Sequence, residues 1–181
     1  PRHVGQVPIH HGQKMGSGYR RTKADLHKGY LDMPSTPLFA FGHGLSYTTF
    51  QYDDLALSAA RMGDGERLTI EATVKNIGPV AGKETVQLYV RDGEASVFRP
   101  DKELKGFLKI SLEPGEKRRV RFELDQRAFA FYDTNPGGWR VEPGEFEVLI
   151  GASSGDIRLS RAVEVTSTLQ VVVDPVQRRN L

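Results

Sequence analysis

Hydrophobic residues alternate with polar residues from about position 50 to position 165, and this period of two constrains the fold more than any other feature of the chain. Successive side chains of a strand point to opposite faces, so each alternating run predicts a half-buried β-strand. The clearest runs place apolar side chains at Leu68, Ile70 and Val74, at Val86, Leu88 and Val90, at Val120, Phe122 and Leu124, and at Phe146, Val148 and Ile150. Turn signals such as Gly63-Asp64-Gly65 separate the runs.

These runs predict an all-β fold, namely an immunoglobulin-like antiparallel β-sandwich of seven or eight strands with an irregular N-terminal extension. The alternating stretch matches the roughly 100 residues of such a sandwich. No run of helical period lies between the strands, which disfavours a βαβ architecture. The chain has no cysteine, which favours the fibronectin type III-like variety over a disulfide-bonded one. Gly106 predicts a bulge in its strand, and residues 168–175 predict an additional edge strand.

The stretch from Pro37 to Phe50 joins the alternating region to a basic, weakly patterned N-terminal segment. It combines aromatic side chains with Gly42 and Gly44, and either glycine can adopt a positive φ or let another backbone approach closely. Linkers are rarely so aromatic, so we predict a buried join between two structural units.

Composition excludes several functional classes. The net charge of +2 is too small to argue for nucleic acid as a partner, which needs a clustered basic face, and we interpret the local basic excess near positions 10–28 as a solvated loop. No apolar run approaches the roughly 20 residues of a membrane span. Gly137-Gly138 precedes no helical pattern, so neither a phosphate-binding loop nor a cofactor is expected. The chain begins at Pro1 without a signal-like segment, which we interpret as an excised piece of a longer protein of unassigned compartment.

Neither a catalytic centre nor a metal site is predicted. Glu145 and Glu147 fall on one face of a strand, but alternating carboxylates are the ordinary solvated face of a sandwich. Two further acidic pairs, Asp53-Asp54 and Asp133 with Glu142, lack a predicted cleft. The histidines at positions 3, 10, 11 and 27 lack the spacing of metal ligands on a regular element.

Trp139 leaves two interpretations open. A tryptophan with Phe129, Phe131 and Tyr132 nearby in sequence is typical of a sugar-stacking platform. A single tryptophan in a β-sandwich is more often a core residue, because it buries a large area. We expect the core position and retain sugar stacking as the alternative.

Five sequence motifs together resemble one enzyme family. The join Pro37–Phe50, with Phe41, Gly42, Gly44, Leu45 and Tyr47, resembles the segment preceding the fibronectin type III-like domain of glycoside hydrolase family 3 β-glucosidases and β-xylosidases. His43 stands where many relatives carry tyrosine. The other motifs are Val4-Gly5-Gln6-Val7-Pro8-Ile9, Val74-Lys75-Asn76-Ile77-Gly78, Gly82-Lys83-Glu84-Thr85-Val86-Gln87-Leu88-Tyr89-Val90, and the stretch from Leu104 to Glu116.

The resemblance implies a domain division. Residues 1–49 would be a remnant of the preceding α/β-sandwich domain with a polar loop and the join. Residues 50–166 would be the fibronectin type III-like domain, and residues 167–181 a C-terminal tail. In that family an Asp in a Ser-Asp-Trp-type motif of a (β/α)8 barrel is the nucleophile, and a Glu upstream of this region is the acid/base. No Asp here precedes a Trp, so the resemblance implies no catalytic residue in this chain.

Three functions therefore remain open. The first is a non-catalytic accessory domain that packs on the barrel and α/β-sandwich domains of a retaining exo-acting β-glycosidase, whose substrate would be a β-linked oligosaccharide. The second is a carbohydrate-binding module that uses Trp139. The third is an assembly domain that forms a homodimer or adds strands at an edge, for example through the valines of positions 171–173.

Overall fold

The computed structural model describes residues 37–97, 99–134, 137–168 and 170–172. The motif Val4–Ile9, which the resemblance assigns to the preceding α/β-sandwich domain, and the four N-terminal histidines lie outside the described residues. Within these ranges no helix is long and apolar enough to cross a membrane.

The described residues form eleven β-strands and one short 3-10 helix, Gln126–Ala128. The strands are β1 (Phe50–Leu57), β2 (Arg61–Met62), β3 (Arg67–Asn76), β4 (Gly82–Asp92), β5 (Glu103–Leu112), β6 (Lys117–Asp125), β7 (Phe131–Asp133), β8 (Gly138–Arg140), β9 (Gly144–Ser153), β10 (Asp156–Val165) and β11 (Gln170–Val172). Eight of them build two main sheets, in the orders β1-β3-β6 and β2-β10-β9-β4-β5. The predicted all-β sandwich is confirmed.

The core lies between these two sheets and consists of the side chains that the alternation predicts. Along β3 the residues Leu68, Ile70, Ala72 and Val74 are fully buried while the residues between them reach the surface. Val86 and Leu88 of β4 and Val148 and Ile150 of β9 face them from the opposite sheet and are equally inaccessible. Burial of each such side chain contributes about 1.5–3 kcal/mol, so the sandwich is stabilised mainly by this layer.

Local irregularities fall where the sequence breaks its pattern. The pairing of β4 with β5 shifts register between Leu88 and Tyr89, opposite Gly106 and Leu104, which confirms the predicted bulge. Lys105 is the extra residue. A second shift separates Asp53 from Ala56 in β1, where Asp54 has a φ of 56°.

A third sheet is small and has the order β11-β8-β7. Its outer strand β11 pairs antiparallel with β8, so the prediction of an additional edge strand in the tail is confirmed for residues 170–172. The two-residue strand β2, which pairs parallel with β10, has no counterpart in the sequence-based prediction because it is too short to show alternation.

A buried arginine fixes the loop between β4 and β5 to the core. Arg99 is 6% exposed, and its guanidinium bonds Asp92 at 3.1 Å, Glu103 at 2.8 Å and the carbonyl oxygen of Phe129 at 3.0 Å. It also lies over the ring of Phe146, 5.9 Å from the centroid. Burial raises the pKa of Glu103, but hydrogen bonds from Lys105 and Arg99 outweigh it and hold that pKa below its usual range.

We expect Arg99→Ala to lower the free energy of unfolding by about 3–5 kcal/mol, because it leaves the buried carboxylate of Asp92 without its cation. The matched control is Arg119→Ala, whose ion pair with Glu71 at 3.6 Å is solvent-exposed and contributes less than about 1 kcal/mol. Urea denaturation measures both.

The lowered pKa of Glu103 stabilises the fold above the ordinary carboxyl pKa of about 4.3, and this contribution is lost as the pH falls. The free energy of unfolding of Arg99→Ala should therefore fall less steeply with decreasing pH than that of the wild type. If Arg99→Ala and Arg119→Ala lowered the free energy of unfolding equally, this account would be contradicted.

Candidate functional site

Residues 42–48 of the join form an arch that crosses the outer face of β4 and is attached to the sandwich at both ends. At its first end the amide of Ser154 donates to the carbonyl oxygen of Phe41 at 2.9 Å. At its second end the amide of Ile77 donates to the carbonyl oxygen of Thr49 at 2.9 Å. The arch is therefore a fixed part of the domain surface and differs from a free linker.

Gln87 of β4 holds the first end of the arch. Its buried side-chain amide donates to the carbonyl oxygens of Gly42, at 3.1 Å, and Ala152, at 2.6 Å. Its carbonyl oxygen accepts from the hydroxyl of Tyr89 at 2.5 Å. Burial raises the pKa of Tyr89 to about 12, so this hydroxyl stays protonated and remains a donor at neutral pH.

Asn76 holds the second end. Its side chain is completely buried, and its oxygen accepts from the hydroxyl of Thr48 at 2.6 Å and from the amide of Gly78 at 3.0 Å. Its nitrogen donates to the carbonyl oxygens of Val80 at 2.8 Å and Leu112 at 3.0 Å. One side chain thus connects the arch to the β3–β4 turn and to the end of β5.

Glycine is required at only one of the two arch positions that the sequence singles out. Gly42 has a φ of 77°, and a Cβ atom there would overlap the side chain of Gln87. Gly44 has no such φ, and in the described part of the chain nothing lies within 4 Å of a Cβ atom built there. The prediction of a special backbone is confirmed at Gly42 and is wrong at Gly44.

Most large side chains of the join are exposed in this chain, so its burial between two structural units stays a prediction. Leu45 is 93% exposed and Tyr47 is 100% exposed, while Leu38, Phe39 and Phe41 are also exposed. His43 stacks on Phe39 at the surface, with ring centroids 5.1 Å apart. Of the large apolar residues of the join, only Phe50, the first residue of β1, enters the core. The backbone of the join is held to the sandwich, while most of its apolar side chains are left uncovered.

The arch and the sheet beneath it enclose a groove of about 790 Å³. Phe107 of β5 projects into it from the sheet and is itself exposed. At the other side the hydroxyl of Tyr52 donates to Glu84 at 2.6 Å, and Arg158 pairs with Asp156 at 2.5 Å. Burial raises the pKa of Glu84, although the Tyr52 hydrogen bond and Arg158 oppose this shift. The groove therefore combines an apolar rim with a polar floor.

The acidic pairs considered from the sequence are not brought together as a catalytic site. Glu147 pairs with Arg91 at 2.9 Å, and Glu145 is exposed on the same strand. Asp133 and Glu142 both face Arg140, at 3.6 Å and 3.9 Å. Among the described residues no three His, Asp or Glu side chains are arranged to hold a metal ion.

The prediction that Trp139 belongs to the core is also wrong. Trp139 lies on β8 opposite Tyr132 of β7, and the two rings meet edge to face with centroids 5.7 Å apart. They are 38% and 40% exposed. Phe131, which precedes Tyr132 on β7, is buried. The aromatic residue of this hairpin that faces the interior is therefore Phe131, while Tyr132 and Trp139 face outward.

Comparison with known proteins relates the chain to one domain family and to several β-glucosidases. Residues 84–154 match the family model described as fibronectin type III-like domain. Thermostable β-glucosidase B of Acetivibrio thermocellus is 53% identical over 135 residues, which are 75% of this chain and 18% of the relative. Periplasmic β-glucosidase of Salmonella typhimurium is 39% identical over 160 residues, covering 87% of this chain and 21% of the relative.

Solved structures give the same result. The β-glucosidase of Listeria innocua in complex with glucose superposes with a TM-score of 0.78 at 38% identity, over 91% of this chain and 23% of that one. β-Glucosidase 3B of Thermotoga neapolitana superposes with a TM-score of 0.70 at 39% identity, over 77% and 19%. The chain thus spans about a fifth of the length of the relatives that it matches.

The two arch glycines provide a matched pair of substitutions. We expect Gly42→Ala to lower the free energy of unfolding by about 1–2 kcal/mol, because an alanine at positive φ is strained and its methyl group displaces Gln87. Gly44→Ala should change it by less than about 0.5 kcal/mol, as for a surface substitution without strain. Urea denaturation measures both, and hydrogen exchange of the amide of Ser154 should accelerate only in Gly42→Ala. Equal effects at the two positions would show that the arch is not held through Gly42.

Proposed function

Because this chain carries the fibronectin type III-like domain of glycoside hydrolase family 3 β-glucosidases, we propose that it is a non-catalytic docking domain of an exo-acting β-glycosidase. Its arch would pack on the catalytic domains and stabilise them. The observation that carries this proposal is the exposure of Leu45 and Tyr47 on a backbone that is fixed at both ends.

Surface physics supports this function. Burial of a leucine or aromatic side chain contributes about 1.5–3 kcal/mol, and the arch leaves Leu45 and Tyr47 in water. Patches of this kind mark interaction sites on soluble domains. The backbone of the arch is already ordered by Gln87 and Asn76, so docking does not require ordering it again. A preorganised apolar surface of this kind suits a permanent interface within a larger enzyme.

The lack of a catalytic arrangement among the described residues agrees with an accessory role. The carboxylates that pair with arginines, such as Glu147 and Asp156, have ordinary roles in surface ion pairs. Glu84 is the one carboxyl group among the described groove residues with a raised pKa; it accepts a hydrogen bond from the hydroxyl of Tyr52 at 2.6 Å, and Arg158 opposes the shift. The proposal therefore assigns bond cleavage to other domains of the enzyme.

The first prediction concerns the 181-residue chain itself. We expect it to fold cooperatively and to release no nitrophenol from an aryl β-glucoside, because its sequence has no Asp-Trp pair to supply the nucleophile of the family. Circular dichroism and a chromogenic assay on rigorously purified chain test both statements. Turnover that co-purifies with the chain and survives repeated chromatography would refute the non-catalytic assignment.

The second prediction concerns the complete enzyme that carries this domain. Leu45→Ser combined with Tyr47→Ser should lower its temperature of half-inactivation by several degrees, because both side chains would lose an apolar contact with the catalytic domains. The same double variant should leave the unfolding of the 181-residue chain unchanged, since both side chains are exposed there.

The matched control is Val97→Ser, which changes a partly exposed apolar side chain outside the groove. It should leave the inactivation temperature of the complete enzyme unaltered. Equal inactivation of the wild type and the double variant would reject docking through the arch.

A further inference from the structure

The pair Tyr132–Trp139 lies apart from the arch, and neither residue lines the groove. Their positions on β7 and β8 are directly opposite in register, which places both rings on the outer face of the small third sheet. Phe131, on the other face, is buried. The rings stand nearly perpendicular, at 83°, and form a corner open to solvent.

Arg127 adds a hydrogen-bonding group beside this corner. Its guanidinium lies over one face of the Trp139 ring, 5.9 Å from the ring centroid, so a sugar would stack on the other face. Within the described part of the chain this guanidinium has no carboxylate partner at ion-pair distance. Its N–H groups are therefore available to a ligand that contacts the tryptophan.

A pocket of about 300 Å³ continues from Arg127 along the domain surface. Charged side chains of both signs line it, namely Arg67, Lys105, Glu123 and Asp125 together with Arg127. Hydrogen-bond donors and acceptors thus line the same depression. Such a lining suits a neutral ligand with many hydroxyl groups, because the two carboxylates, one of them paired with Arg67 at 3.5 Å, offset most of the positive charge.

The shape and chemistry of this surface favour a sugar over a protein partner. A specific protein interface buries about 800 Å² on each partner. The apolar part of this surface consists of two partly exposed rings with charged groups around them, which is small for such an interface. A pyranose with equatorial hydroxyls presents an apolar C–H face to an aromatic ring and hydroxyls around its edge. Trp139 fits the first feature, and Arg127 with the adjacent pocket fits the second.

We propose that Trp139, Tyr132 and Arg127 form a surface binding site for neutral gluco- or xylo-configured polysaccharide chains. One pyranose unit stacks on Trp139, with Tyr132 as a side wall. A hydroxyl edge of the chain reaches Arg127 and the adjacent pocket. The site is independent of docking through the arch, and it would hold the domain on polymeric substrate without cleaving it.

Trp139 is the single tryptophan of the chain, so its fluorescence reports on this site alone. We expect titration of the 181-residue chain with cellohexaose to change the emission in a saturable way. Affinity electrophoresis in gels that contain mixed-linkage β-glucan or xylan should show retardation. Trp139→Ala should weaken the retardation by about tenfold or more, a factor equivalent to about 1.4 kcal/mol.

Two further variants keep the experiment decisive if Trp139→Ala disturbs the small sheet. Arg127→Ala keeps the tryptophan and should weaken binding of cellohexaose in the same fluorescence titration. Phe107→Ala removes a more exposed aromatic ring, which lines the arch groove, and should bind like the wild type. Polygalacturonate serves as the charged polymer and should cause no retardation.

Three results would overturn the site. The first is that cellohexaose leaves the emission unchanged and neither neutral polymer retards the chain. The second is that Trp139→Ala and Arg127→Ala are retarded as strongly as the wild type. The third is that polygalacturonate alone retards the chain. Each differs from failure of docking, which would appear only in the heat inactivation of the complete enzyme.

Discussion

Two buried side-chain amides connect the surface of this domain to its interior. Asn76 and Gln87 are buried polar residues, and burying them is unfavourable unless their hydrogen bonds are satisfied. They are satisfied largely by main-chain groups, including the carbonyl oxygens of Gly42, Ala152, Val80 and Leu112. The amides therefore specify one position for the arch, because any displacement leaves buried polar groups without partners.

The sandwich itself follows from period-two alternation, which is a local property of the sequence. Each run of residues with clear period-two alternation forms a strand in the structure, and the bulge at Gly106 lies where the alternation breaks. The roles of Asn76, Gln87 and Arg99 could not be predicted, because each depends on partners brought close by sheet pairing. As isolated residues they are typical of turns and solvated strand positions.

The aromatic side chains of Trp139 and of the arch are exposed for different physical reasons. Trp139 and Phe131 are both suitable core residues, and the parity of β7 and β8 decides which one faces inward. That parity depends on the register of a three-residue strand, which composition does not specify. The arch side chains have the composition of a buried segment, but this chain contributes only one wall of their environment. Hydrophobicity predicts that a side chain is covered without predicting which domain covers it.

The positions of the two exposed aromatic surfaces suggest how one small sandwich serves a larger enzyme. The arch lies across β4, while the Tyr132–Trp139 corner belongs to a separate small sheet. The two surfaces share no lining residue, and a close-packed core deforms little, so we expect the geometry of each to be independent of what binds the other. The proposed docking through the arch would therefore leave the Trp139 corner accessible. The proposed accessory domain would in this way orient catalytic domains toward a polymer, because rigid attachment through the arch gives a weak contact at the Trp139 corner a defined direction.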